Sequence, residues 1–209
     1  NDGLVKGISK MGDVALTIDM CPSRKGISQN VYDRLVRLSK KQGKAISVGI
    51  AMTAKWKRKY SERFRWLKKM QLEGRLNILW INHSTNHKYI PKKKLSKNFM
   101  LIPGTNVRNE VLGNEMTLIE GGVTPSVFFR FPGLVSSESL ILRLADWGLV
   151  ALGSDAWLAK GEKAKSGSII LIHGNRNEPA GEKKFLNYVE TMESQGHQLS
   201  SLFEILGLG

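Results

Sequence analysis

The residues best equipped for chemistry are His83 and His87, in the run Asn82-His83-Ser84-Thr85-Asn86-His87. They are two of the chain's four histidines and stand four positions apart. If the run turns helical as it leaves the apolar segment from Asn77 to Ile81, both imidazoles share a face, with Cβ atoms roughly 5–6 Å apart. Two neutral imidazoles so placed can hold one divalent ion, at nitrogen–metal distances of about 2.0–2.1 Å. The plain alternative is a pair of surface histidines in a polar loop, and spacing alone does not separate the two.

Four further residues follow apolar, strand-like runs in the same manner. Asp19 ends the run from Asp13, Arg130 lies in Ser126 to Phe131, Asp155 follows Leu149 to Gly153, and His173 follows Ser168 to Ile172. Other strands are expected at Ala45 to Met52, Asn77 to Asn82 and Phe99 to Ile102. Helices are expected between them. One runs from about Ser28 to Gln42 before Gly43, and a basic one from Lys55 to Glu73 before Gly74. Others cover Asn106 to Ile119, a stretch capped by Ser136 or Ser137 that carries Leu140, Leu144 and Trp147, and Glu182 to Ser194. Alternating strands and helices argue for a parallel sheet. With about seven strands, the reading is an α/β fold: a single-domain, irregular (β/α) barrel over residues 1–209. Its active site is expected at the C-terminal ends of the strands, where Asp19, His83, Arg130, Asp155 and His173 collect from five different strands. An open dinucleotide-binding sheet is disfavoured, because Asp19-Met20-Cys21-Pro22 stands where a glycine-rich phosphate loop is needed.

These residues belong to five short motifs: Thr17-Ile18-Asp19-Met20, His83-Ser84-Thr85-Asn86-His87, Arg130-Phe131-Pro132-Gly133, Asp155-Ala156-Trp157 and Leu171-Ile172-His173. In order and content they resemble the polysaccharide deacetylase family (the NodB-homology domain) over essentially the whole chain. The resemblance implies metal-dependent hydrolysis of N-acetyl groups on an N-acetylhexosamine polysaccharide such as peptidoglycan, a chitin-like polymer or a surface glycan. His83 and His87 would hold zinc or a similar divalent ion. Asp19 would be the catalytic base, Arg130 its partner, His173 the general acid and Asp155 a supporting carboxylate. Trp157, Pro132, Gly133 and Leu171 would wall the substrate pocket, with a backbone N–H near Gly133 or Leu134 receiving the oxyanion.

One departure bears on activity. The family carries a second aspartate, a metal ligand, where this chain has Met20, and a thioether is a weak zinc ligand. The third ligand is then Asp19, or Cys21, which shares a strand face with Asp19 if the strand continues, with water completing the shell. The competing reading is a catalytically weak or inactive glycan-binding homologue.

The bulk figures set the remaining bounds. The net charge of +14 and a pI near 10.0 would attract a polyanion. The excess is concentrated: Lys55 to Arg75 holds nine basic and two acidic residues, and Lys88 to Lys97 holds five basic and none acidic. Trp56, Tyr60, Phe64 and Leu67 recur at helical spacing and read as a buried stripe, so nucleic acid is disfavoured; the resemblance implies a polysaccharide partner, which the basic surface would favour in anionic form. Cys21 is the one cysteine, which excludes an internal disulfide. No window reaches the 18 or more apolar residues of a membrane span. The family's substrates point to a periplasmic, secreted or cell-envelope protein, although no residue here shows export.

Overall fold

The first strand, β1 (Ala15–Met20), has all six residues buried and lies inside the sheet, flanked by a strand on either side. The computed structural model describes residues 1–9 and 12–208. After β1 come α1 (Gln29–Gln42), β2 (Ile46–Met52), α2 (Ala54–Lys59), α3 (Ser61–Leu72), β3 (Leu76–Asn82), α4 (Val107–Glu120) and β4 (Pro125–Phe129). They are followed by α5 (Glu138–Asp146), β5 (Val150–Ala151), β6 (Ala156–Trp157), β7 (Ile169–His173), α6 (Pro179–Ser194) and α7 (Leu202–Leu206). The sheet order is β5-β4-β3-β2-β1-β7-β6 and every pairing is parallel. The result is a curled half-barrel with helices packed against it, the α/β barrel-like architecture expected from the alternation of elements.

Side-chain alternation along the strands separates two cores. Leu16, Ile18 and Met20 of β1, with Val48, Ile50 and Met52 of β2 and Ile170 and Ile172 of β7, pack outward under Val31, Leu35, Phe185 and Val189 of the helices. Ala15, Ala51, Ile81 and Ile169 point into the half-barrel, where Leu202 and Ile205 of α7 close its lower end. The inward column of β1 therefore continues upward as Thr17 and Asp19. The seam beside β5 is filled by the N-terminal segment: Leu4 N–H donates to Ala151 O at 2.9 Å and Gly7 N–H to Gly167 O at 2.9 Å.

Three expectations are corrected. Phe99 to Ile102 is no strand but a 3-10 turn, Phe99–Leu101. Asn98 is fully buried and its side chain accepts from Ile90 N–H and Phe99 N–H, both at 2.9 Å, which folds the run back on itself. Phe99 adopts φ 51° and sets its ring 5.5 Å from that of His87. The seventh strand is instead the short β6. The single helix expected from Lys55 to Glu73 breaks at Tyr60 (φ −119°, ψ 48°), whose hydroxyl reaches Ser23 O at 3.1 Å. The last long helix begins earlier than Glu182, because Pro179 suits a first helical turn.

Candidate active site

The two histidines meet, although not by the expected helical turn. Residues 83–88 form a loop in which Ser84 (φ 70°) and His87 (φ 50°) are left-handed, a conformation that costs free energy for non-glycine residues. Polar contacts hold it. Asn86 donates its backbone N–H and side-chain amide to the two Glu110 carboxylate oxygens, at 2.9 and 2.6 Å, and Thr85 Oγ1 donates to Asn109 O at 2.7 Å. The imidazole rings of His83 and His87 then lie 4.8 Å apart.

Cys21 stands between them, its Sγ 3.3 Å from His83 Nε2 and 3.4 Å from His87 Nε2. Bonds of about 2.3 Å to sulfur and 2.0–2.1 Å to nitrogen, at tetrahedral angles, put sulfur and nitrogen about 3.5 Å apart, so both sulfur–nitrogen separations match those of one zinc site. His83 Nδ1 lies 2.8 Å from Arg130 O. A carbonyl only accepts, so Nδ1 carries the proton and Nε2 presents its lone pair to the shared centre. Burial, aided by the Arg130 charge, holds the His83 pKa below the ordinary imidazole value. For Cys21 burial works the other way and favours the thiol, but His87 and His173 outweigh it and bring the pKa down to about 7. Neutral imidazole and thiolate are the forms a metal requires.

Met20 takes no part in this cluster. It is fully buried in the outer core and its sulfur accepts the Tyr32 hydroxyl at 3.2 Å. Of the two third-ligand candidates, Cys21 groups with both histidines. Asp19 groups instead with Cys21 and His173, its Oδ2 lying 3.5 Å from His83 Nε2. Arg130 is wholly buried beneath the cleft, with Nη2 donating to Thr17 Oγ1 at 3.0 Å and Nη1 3.8 Å from Asp19 Oδ1. Burial would raise the Asp19 pKa, yet the cationic Arg130, assisted by the neighbouring histidines, holds it below the ordinary carboxylate value. Asp19 Oδ1 is buried without a hydrogen bond.

On the opposite wall His173 Nδ1 contacts Glu178 Oε2 at 2.8 Å, and Trp157 Nε1 donates to the same oxygen at 2.8 Å. Burial would lower the His173 pKa; Cys21, Glu178 and Asp19 together carry it well above the ordinary imidazole value. Glu178 occupies the place expected of Asp155, which lies elsewhere. Asp155 accepts from Ser168 Oγ and Ile169 N–H, both at 2.8 Å. The reason is register: β6 pairs Ala156 with Ile170, leaving residue 155 at the start of β7 and about 13 Å along the strand from His173. No pattern in the sequence marks Glu178 except its position just before Pro179 at a helix start.

These groups line one cleft of about 450 Å³, in which Asp19, Cys21, His83, His87, His173 and Glu178 are joined by Tyr89, Phe99, Gly133, Leu134, Trp157 and Leu171. Pro132 borders an adjoining cavity behind His87. Leu134 N–H is committed to Phe131 O at 2.9 Å, so it is not the free donor expected for an oxyanion.

No model of a known family matches the sequence. Solved structures do match. A family 4 carbohydrate esterase from Bacillus anthracis superposes with a TM-score of 0.70 at 19% identity, over 100% of this chain and 89% of that one. This is the fold of the family 4 carbohydrate esterases. A peptidoglycan N-acetylglucosamine deacetylase matches at 0.69 and 16% identity, over 99% of this chain and 93% of its own. A family 4 pseudoenzyme from Bacillus anthracis matches at 0.65 and 14%, over 98% of this chain and 68% of its own. The resemblance carried by the sequence motifs and the family 4 fold thus coincide.

Proposed function

We propose that the chain is a metal-dependent carbohydrate N-deacetylase, acting on N-acetylhexosamine polymers such as peptidoglycan, chitin-like chains or surface glycans. Cys21, His83 and His87 would hold the ion, with zinc favoured by the thiolate ligand. When bound, the ion would polarise the acetyl carbonyl and render water more acidic. Asp19 takes the proton of the attacking water as its oxygen adds to the acetyl carbon. His173, protonated and braced by Glu178, delivers a proton to the amide nitrogen as the C–N bond breaks, releasing acetate and the free amine. Arg130 keeps Asp19 ionised from below. Phe99, Trp157 and Leu171 supply an apolar wall for the acetyl methyl. A cell-wall substrate would place the protein in the periplasm, the cell envelope or the medium.

The observation that carries this reading is the Cys21 sulfur within 3.3 and 3.4 Å of two imidazole nitrogens, beside Asp19 and His173. It supplies the ligand that Met20 cannot. The test is metal analysis together with acetate release from N-acetylglucosamine oligomers and peptidoglycan fragments. About one zinc per chain and acetate release abolished by His83→Ala are expected. A metal-free protein releasing no acetate would overturn the reading. It would favour the alternative, a glycan-binding homologue without catalysis, which Met20 and the likeness to a pseudoenzyme support.

A further inference from the structure

Pro22 and Asn177 form a sill between two cavities. On one side lies the catalytic cleft; on the other is a cavity of about 470 Å³ lined by Arg24, Lys25, Lys55 and Lys59, with Ser23 and Trp56. Four cations line this second cavity and no acidic residue does. Among the described residues none of the four has a carboxylate within 4.0 Å, whereas Arg34 and Lys41 share Glu193. Its walls are fastened together. Lys59 Nζ and Tyr60 Oη donate to Ser23 O at 3.0 and 3.1 Å, and Trp56 Nε1 donates to Gly26 O at 3.2 Å. The sill is tied as well, through Asn177 Nδ2 to Pro22 O at 3.3 Å and Ser23 Oγ to Asn175 O at 2.9 Å.

Unpaired like charges around a preformed concavity repel one another and focus a positive potential into it. We propose that this cavity is an anion subsite of the cleft. It takes a carboxylate or phosphate on the same glycan chain whose acetamido group lies at Cys21, His83 and His87, so the substrate class is an acidic, acetylated glycan. The inference rests on the deacetylase reading. A polymer crossing Pro22 and Asn177 occupies both cavities at once, which is why the anion belongs to the substrate and not to a separate ligand. Single-stranded nucleic acid is a poorer fit, because Trp56 is fully buried and offers no face for base stacking.

The experiment compares the zinc-loaded chain on neutral N-acetylglucosamine oligomers and on equal-length oligomers carrying carboxylates or phosphates. Acidic oligomers are expected to show KM about tenfold lower, an advantage that salt erodes. The triple variant Arg24→Gln/Lys25→Gln/Lys55→Gln is expected to lose that preference. Arg63→Gln/Arg143→Gln/Lys183→Gln, which removes the same charge from exposed positions on α3, α5 and α6, is expected to keep it. Equal KM for the two substrates, or equal loss in both triple variants, overturns the subsite. So does competition by inorganic phosphate as strong as by the acidic oligomer, or tighter binding of a single-stranded oligonucleotide. If no glycan yields acetate, the deacetylase reading fails by itself. The subsite is then judged on the acidic-to-neutral ratio in equilibrium binding to the same chain.

Discussion

Residues 20 and 21 divide two duties that a motif comparison runs together. Met20 belongs to the outer core, and the neighbouring Gly174 leaves it no slack: a Cβ there would sit 3.0 Å from Met20 Sδ and 2.7 Å from the Tyr32 hydroxyl. Met20→Asp would bury a carboxylate in the apolar outer core, beside the Tyr32 hydroxyl. It is expected to destabilise the fold by about 3–5 kcal/mol in a denaturant titration and to add no metal. Cys21→Ser, in contrast, removes a thiolate from a site already built. It is expected to preserve the melting temperature of the metal-free chain while zinc per chain falls under mild dialysis. Retained zinc would remove Cys21 from the ligand set. Glu178→Gln keeps the shape of the His173 contact and discards its charge. The expected result is a fall in kcat of about 10- to 100-fold, with KM little changed. The alkaline limb of the pH profile should move to lower pH, because Glu178 favours the protonated imidazole. An unmoved limb would reduce Glu178 to a packing residue.

Among the elements, the loop after β3 is the most telling to test, because it sustains two left-handed residues at the point where the two histidines converge. Glu110, on α4, is what holds it; it is buried and stands outside both groups of residues that could hold a metal. Glu110→Ala would strand the Asn86 N–H, at about 1–3 kcal/mol, and loosen zinc binding about 10- to 100-fold in a chelator competition without altering any ligand. Gly133 makes a similar case on the far wall. It adopts φ 64°, and a Cβ would come within 2.4 Å of the Phe99 ring, so Gly133→Ala is expected to displace Phe99 from His87 and raise KM. Neither dependence could be read from the sequence. The histidine pair was visible as two residues four apart, but its loop geometry depends on Glu110 and Asn109, more than twenty positions away. The run from Phe99 reads as a strand by its apolar content, and only the buried Asn98 turns it away from the sheet.

For the molecule as a whole, a metal held by Cys21, just after β1, and by the two histidines of the β3 loop would link metal binding to folding. Adding zinc to the metal-free chain should raise the melting temperature. At a free zinc concentration about 1,000 times Kd the added stability is about 4 kcal/mol, and a chelator should reverse it. Identical melting curves with and without zinc would argue against a preformed site. The basic surface has a spatial order too: some of its charge forms ordinary exposed helix faces, while four cations surround one cavity beside the cleft.

Composition and periodicity by themselves indicated the alternating strands and helices and the strand ends that bring Asp19, His83 and His173 to the cleft, while Gly133, Trp157 and Leu171 were expected there only through the family resemblance. Those features are local: burial pattern sets a strand, and a strand end sets where its last side chain stands. Tertiary structure decided the partners. Cys21 rather than Met20 faces the histidines because the alternation of β1 is fixed by its packing against α1. Glu178 rather than Asp155 meets His173 because the register of β6 on β7 carries residue 155 to the wrong end of the strand. Contacts between residues far apart in the chain depend on register and loop path, and neither is written in any single stretch of sequence.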